Sequence, residues 1–167
     1  MRIRWIPARP GVLASGLMAS EPREVWGDLA ATAFVESNVL FRSLDPEARR
    51  DLIQLATQED FEAGQLVAAD AEDDRVYLIR DGRAAVLLDR GGTAVEVACL
   101  ERGAFFGEGR VLGEPVPGAL VARTDLTVVT FPAPVLGAVA DRYPKVRKLL
   151  EAVKAARQKD AAERLGG

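Results

Sequence analysis

The sequence predicts a mainly β domain, a roll or jelly roll of short strands, with helices before it and a helical segment after it. Three observations carry this reading. Apolar residues recur at helical spacing before residue 57 and again after residue 133. Between those points the rhythm changes to short apolar or alternating runs. Glycine turn signals separate the runs at intervals of about 8–12 residues, the spacing of a roll or sandwich.

Taken in order, residues 1–19 read as a flexible leader, basic and acid-free. Pro7 and Pro10 argue against a signal peptide there, and Met18 offers a second start besides Met1. Residues 20–56 form the N-terminal helical segment. A helix is expected from Ser20 to Leu44, with Glu21 and Pro22 in its first turn and a break near Ser37-Asn38. Its apolar positions are Val25, Trp26, Leu29, Ala33 and Phe34. In "DPEARRDLIQLA", Asp45 suits an N-cap and Pro46 the first helical position, and Ala48, Leu52, Leu55 and Ala56 are expected to share a face. Residues 57–133 supply the strands: "QLVAA", "RVYLIR", "RAAVLL", "AVEVACL", "GALVAR" and "LTVVTF". Asp81-Gly82 reads as the sharpest hairpin turn. Residues 134–167 return to helix, first "PVLGAVADRYP", then a longer one with a stripe of Val146, Leu149, Leu150 and Val153 that fades after Ala156.

Composition narrows the chemistry. The 167 residues hold no histidine and one cysteine, Cys99. That excludes His-based triads and His-ligated metals, and an intrachain disulfide. No metal site is expected, and a reducing, cytoplasmic setting is. Cys99, inside "VEVACL", reads as a buried structural thiol. The pair Asp73-Asp74 in "DAEDD" reads as a solvated turn. No apolar run approaches membrane-spanning length. The net charge is −3; with +3 on residues 1–20 and +4 on residues 144–167, the body between stands at −10. An acidic body does not suit nucleic acid.

The string "FEAGQLV…DDRVYLIRDGRAAVLL…LERGAFFGE" resembles the cyclic nucleotide-binding domain family, over about Leu40 to Leu150. The matching glycines are Gly64, Gly82, Gly103 and Gly107. The resemblance implies a β-roll interrupted by one short helix, whose backbone N–H groups face a phosphate. It also implies that Glu108, the carboxylate after Phe106-Gly107, accepts a hydrogen bond from a ribose hydroxyl. The family then places an arginine on the cyclic phosphate, in a pattern resembling P-R-A-A-T-V-x-A.

Here the sequence departs from the family. With Ala122 on the final alanine, Pro115 takes the proline position, Val116 the arginine and Ala119 the threonine. The segment from Glu108 to Pro115 is one residue shorter than the family's, Gly109 is a poor helix former, and Pro117 removes a backbone donor. A phosphate facing Val116 loses a charge-assisted hydrogen bond worth about 1.5–3 kcal/mol. The degenerate pocket is therefore expected at Phe106, Gly107, Glu108, Val116, Ala119 and Leu120, with Val116 or Leu120 collapsing into it. Arg110 and Arg123 are the candidate substitute phosphate clamps; otherwise they are surface residues.

The expected function is a non-enzymatic regulatory or adaptor module without a cofactor. It is expected to act on another protein or a second copy through Trp26, Leu29, Phe34, Val146, Leu149, Leu150 and Val153. The same stripes would serve equally to cap the roll's own core. The alternative is a cyclic nucleotide receptor with an altered phosphate cassette. A DNA-binding regulator needs a helix-turn-helix after the long helix, and a cupin-type enzyme needs metal-binding histidines; the sequence shows neither.

Overall fold

The computed structural model describes residues 21–69, 73–114 and 118–166. The leader, Val116, Pro115 and Pro117 lie outside them. The chain enters as a strand: β1 (Arg23–Glu24) pairs antiparallel with β2 (Thr57–Phe61). The helix expected from Ser20 therefore starts later. The Asp28 carboxylate accepts from Ala31 N at 3.1 Å and opens α1 (Leu29–Ser37). Asn38 ends that helix and caps α2 (Val39–Arg42), and Asp45 caps α3 (Pro46–Leu55) through Ala48 N at 2.8 Å. Each acceptor satisfies a helix N–H that has no partner within its own helix.

The strands follow: β3 (Leu66–Ala68), β4 (Arg75–Asp81), β5 (Ala84–Arg90), β6 (Thr93–Leu100) and β7 (Phe105–Phe106). A short helix α4 (Glu108–Val111) precedes β8 (Ala119–Ala122) and β9 (Leu126–Pro132), and α5 (Ala133–Arg142) and α6 (Pro144–Gly166) complete the described chain. The strands form two sheets, ordered β1-β2-β9-β4-β7 and β3-β8-β5-β6. Tyr77, Ile79, Phe106, Leu120 and Val128 fill the space between them. On the far side of the first sheet, Phe41, Leu52, Phe131, Leu136, Val146 and Leu150 form a second core with the helices.

Several expectations need correction. Asp81-Gly82 joins β4 to β5, which lie in different sheets, so it is a crossing and not a hairpin. Gly82 has φ +92°, and a Cβ there would stand 2.2 Å from the Asp125 carbonyl oxygen. The turn residue was read correctly, but which strand it delivers depends on that long-range contact. Cys99 is exposed. The β5–β6 pairing slips between Val86 and Leu87, so Val97 and Ala98 both face the core and Cys99 turns outward. Asp73 is no solvated turn residue: its side chain is 12% exposed and anchors Arg75 and Tyr77.

The proposed interaction residues divide. Phe34, Val146 and Leu150 are buried in the chain's own core, and Leu149 and Val153 are partly covered. Trp26 sits in the turn before α1 and Leu29 opens that helix; both are exposed, Leu29 at 86%. Leu55 also points outward, and Ile53 takes its place in the core. The inward face of α6 does not end at Ala156, because Arg157, Ala161 and Leu165 continue it.

Candidate functional site

The site is built around Gly107. Phe105 and Phe106 pair with Leu78 and Tyr77 on β4, which brings the chain to the roll's edge. Gly107 then adopts φ +94° and caps α4. A Cβ there would meet Arg110 Nη1 at 2.8 Å and the Arg75 carbonyl oxygen at 3.0 Å, so the position needs glycine for conformation and for space. The short helix forms despite Gly109, which is buried with Glu108.

Arg110, one of the candidate phosphate clamps, is half-buried. Its Nη1 donates to the Arg75 carbonyl at 2.7 Å, and its guanidinium lies 5.9 Å from the Phe106 ring centre. It fastens α4 back onto β4. The same strand carries a polar buttress behind the site. Arg75 pairs with Glu59 and Asp73, each at 3.2 Å, and the Tyr77 hydroxyl donates to Asp73. Burial pushes the Tyr77 hydroxyl far above the usual tyrosine range, and the Asp73 carboxylate adds to this. Burial also works to raise Asp73, but the Tyr77 and Arg75 hydrogen bonds outweigh it and hold the carboxyl below its ordinary range. Arg123, the other candidate clamp, faces Glu96 at 3.6 Å near the surface.

The structure places Phe106 and Leu120 in one core between the sheets, with Gly107 and Glu108 directly after Phe106; Ala119 is buried on β8 but pairs with Leu87, on the face away from that core. Phe106 and Leu120 are fully buried, which makes the interior next to Glu108 apolar. Val116 lies outside the described residues.

The partner of Glu108 was missed in the sequence. Arg157, on α6, donates from Nη1 to both carboxylate oxygens of Glu108, at 3.3 and 3.4 Å. The Glu108 side chain is 8% exposed and that of Arg157 18%. Three residues earlier on the same helix, Lys154 pairs with Glu114, just after α4. The signal was the helical spacing itself: 150, 153/154, 157, 161 and 165 continue the inward stripe with polar heads on apolar stems. Glu108 is therefore buried and compensated, and α6 lies across the site against β6 and α4.

Two concavities stand out among the described residues. A groove of about 300 Å³ runs beside the site, lined by Cys99, Gly103, Phe105, Arg157, Asp160 and Arg164 among others. A larger one of about 520 Å³ is built wholly from N-terminal elements, with Trp26, Leu29, Arg49 and Ile53 in its wall, remote from the cassette.

Comparison with known proteins agrees with this geometry. The cyclic nucleotide-binding domain family matches residues 58–143. A cAMP-dependent protein kinase regulatory subunit from Mucor circinelloides f. lusitanicus is 32% identical over 100 residues, covering 59% of this chain and 23% of that protein. The regulatory domain of Toxoplasma gondii protein kinase A with cAMP superposes with a TM-score of 0.62 at 22% identity, over 75% of this chain and 48% of that one. The regulatory subunit of a cAMP-independent protein kinase A from Trypanosoma brucei gives a TM-score of 0.64 at 19% identity, over 80% and 48%. The chain spans less than half the length of each of these relatives. By the family match over half its length and by its two-sheet roll with a glycine-capped cassette helix, the chain belongs to the cyclic nucleotide-binding domain family.

Proposed function

We propose that this chain is a non-enzymatic regulatory or adaptor module that works by protein contact and does not take a cyclic nucleotide in the usual way. One observation carries the reading: the carboxylate at the ribose position, Glu108, is already engaged by Arg157 of the same chain. Three features support it. Val116 stands where the family's arginine is expected, Arg110 Nη1 donates to the Arg75 carbonyl, and Phe106 and Leu120 make the neighbouring interior apolar. The fold alone does not decide for a nucleotide, since its neighbours include both a cAMP-bound regulatory domain and a subunit described as cAMP-independent. The contact with a partner or a second copy belongs to the N-terminal face, where Trp26 and Leu29 stay exposed. The single cysteine supports a reducing, cytoplasmic setting; among the described residues no helix is long and apolar enough to cross a membrane.

Thermal unfolding with millimolar cAMP and cGMP tests the reading. A ligand present at about 100 times its Kd adds roughly 2.7 kcal/mol, a shift of about 5–10 °C for a chain of this size. No shift is expected. A shift abolished by Glu108→Ala would establish the receptor alternative instead.

A further inference from the structure

The groove of about 520 Å³ lies between α1 and α3. Leu29 and Glu36 face it from α1, Arg49, Arg50 and Ile53 from α3, and Trp26 adds an aromatic ring to the wall. Its size is that of a cleft built to hold something. Trp26 is 47% exposed and Leu29 86%, so two large apolar side chains stand uncovered on one groove.

The residues before Glu21 have the chemistry to cover them. Residues 4–11 read "RWIPARPG", with Pro7 and Pro10 at P-x-x-P spacing. Each proline fixes its own φ and biases the residue before it, Ile6 or Arg9, toward extended backbone. Such a segment docks as a polyproline helix at a small entropic cost, and aromatic-lined grooves are what receive it. Charge agrees. Residues 1–20 carry three arginines and no acid, +3, whereas residues 21–56, which build the groove, carry seven acids against four arginines, −3. Of the two wall arginines, Arg49 is turned to the backbone, donating to the Phe41 and Leu44 carbonyls at 3.0 Å each. Reach agrees as well. Residues 11–20 join the proline motif to the described chain, a tether whose r.m.s. span is about 16–19 Å. The nine residues of α1 extend about 14 Å, and β1 leads from Arg23 directly to Trp26. Tethering sets the effective concentration of this segment near millimolar, far above that of a second copy at micromolar protein.

We propose that the groove between α1 and α3 is the docking site of the chain's own N-terminal segment, with Trp5, Ile6 and the Pro7–Pro10 stretch against Trp26, Leu29 and Ile53. The inference goes beyond the proposed function by naming what covers its contact face: a partner that takes Trp26 and Leu29 displaces the chain's own leader.

Trp5 and Trp26 are the chain's two tryptophans, so each side of the contact has its own reporter. In the full chain, Trp26→Phe keeps an aromatic wall and leaves Trp5 as the sole tryptophan. Acrylamide quenching of Trp5 is expected to rise about threefold when Leu29→Glu is added, as fits a segment docked most of the time at millimolar effective concentration. Far-UV circular dichroism should not change, since Leu29 is exposed. Conversely, Trp5→Phe leaves Trp26 as reporter, and adding Ile6→Asp is expected to raise its quenching. Should Trp26→Phe by itself release the leader, this second chain still reads the contact. Quenching that ignores the change across the groove in both chains overturns the proposal. Shielding that grows with protein concentration, together with a dimer in sedimentation, also overturns it, by making a second copy the occupant. A thermal shift with cAMP or cGMP overturns the proposed function and leaves these quenching results as they are.

Discussion

Arg157 and Glu108 lie 49 positions apart in sequence and meet at 3.3 Å beneath the C-terminal helix. The meeting turns an acid that the sequence leaves isolated into one member of a compensated pair. Opposite charges withdrawn from water help only while both are present.

Breaking the pair from the arginine side is expected to be the more costly. Arg157→Ala leaves a carboxylate in a mostly dry position. The expected loss is about 1.5–3 kcal/mol, between exposed and fully buried ion pairs. Glu108→Gln/Arg157→Ala together should cost less than the sum of the single changes. Urea unfolding of the four proteins measures the coupling, and strict additivity would show that the pair contributes nothing.

Leu120 tests whether the roll interior is a filled core. It is fully buried between Tyr77, Phe106 and Val128 among others. Leu120→Ala should destabilise by about 2–5 kcal/mol. Leu29→Ala, at an 86% exposed position, should stay within about 0.5 kcal/mol. Equal denaturation midpoints for the two variants would contradict this placement of the core.

Two glycines with nearly the same φ should respond differently to alanine. Gly64, at φ +90°, has nothing within 4 Å of an added Cβ, so only the left-handed backbone costs, about 1–2 kcal/mol. Gly82 adds a clash with the Asp125 carbonyl at 2.2 Å, a further ~1–3 kcal/mol. Comparing the thermal midpoints of the two variants checks that Gly82 marks the crossing between sheets.

Acid should weaken the fold through its caps. Asp28 is held below its ordinary value of 3.8 by the Ala31 N–H and then by Gln58. Asp45 is held below it by the Ala48 N–H and then by the Tyr143 hydroxyl. A carboxyl depressed in the folded chain contributes stability at pH above about 4, and that stability is lost as pH falls through the lower folded values. Stability measured by urea between pH 6 and pH 3 should therefore decline. Asp28→Asn and Asp45→Asn keep the capping oxygen but cannot titrate, so they should flatten that decline. An unaltered slope in the double variant would place the acid sensitivity elsewhere.

Much of this molecule was legible because its signals are local. Asp45 with Pro46 announced α3, and the short apolar runs in "RVYLIR" and "RAAVLL" announced β4 and β5. Phe106-Gly107-Glu108 marked the cassette, since only glycine takes the conformation that caps α4. What failed depended on partners distant in the chain. Arg23–Glu24 became a strand because Gln58 and Thr57 lie beside it. Cys99 faces outward because the β5–β6 register slips at Val86/Leu87.

By itself, then, the sequence determined the helix–roll–helix order, the glycine turns and the family, because caps, turns and strand periods act over a few residues. Tertiary structure alone decided which sheet each strand joins, which apolar residues remain outside, and that Arg157 covers Glu108. Those outcomes depend on where α6 lands on the roll, and a charge pair spanning 49 residues leaves no local pattern from which to read it.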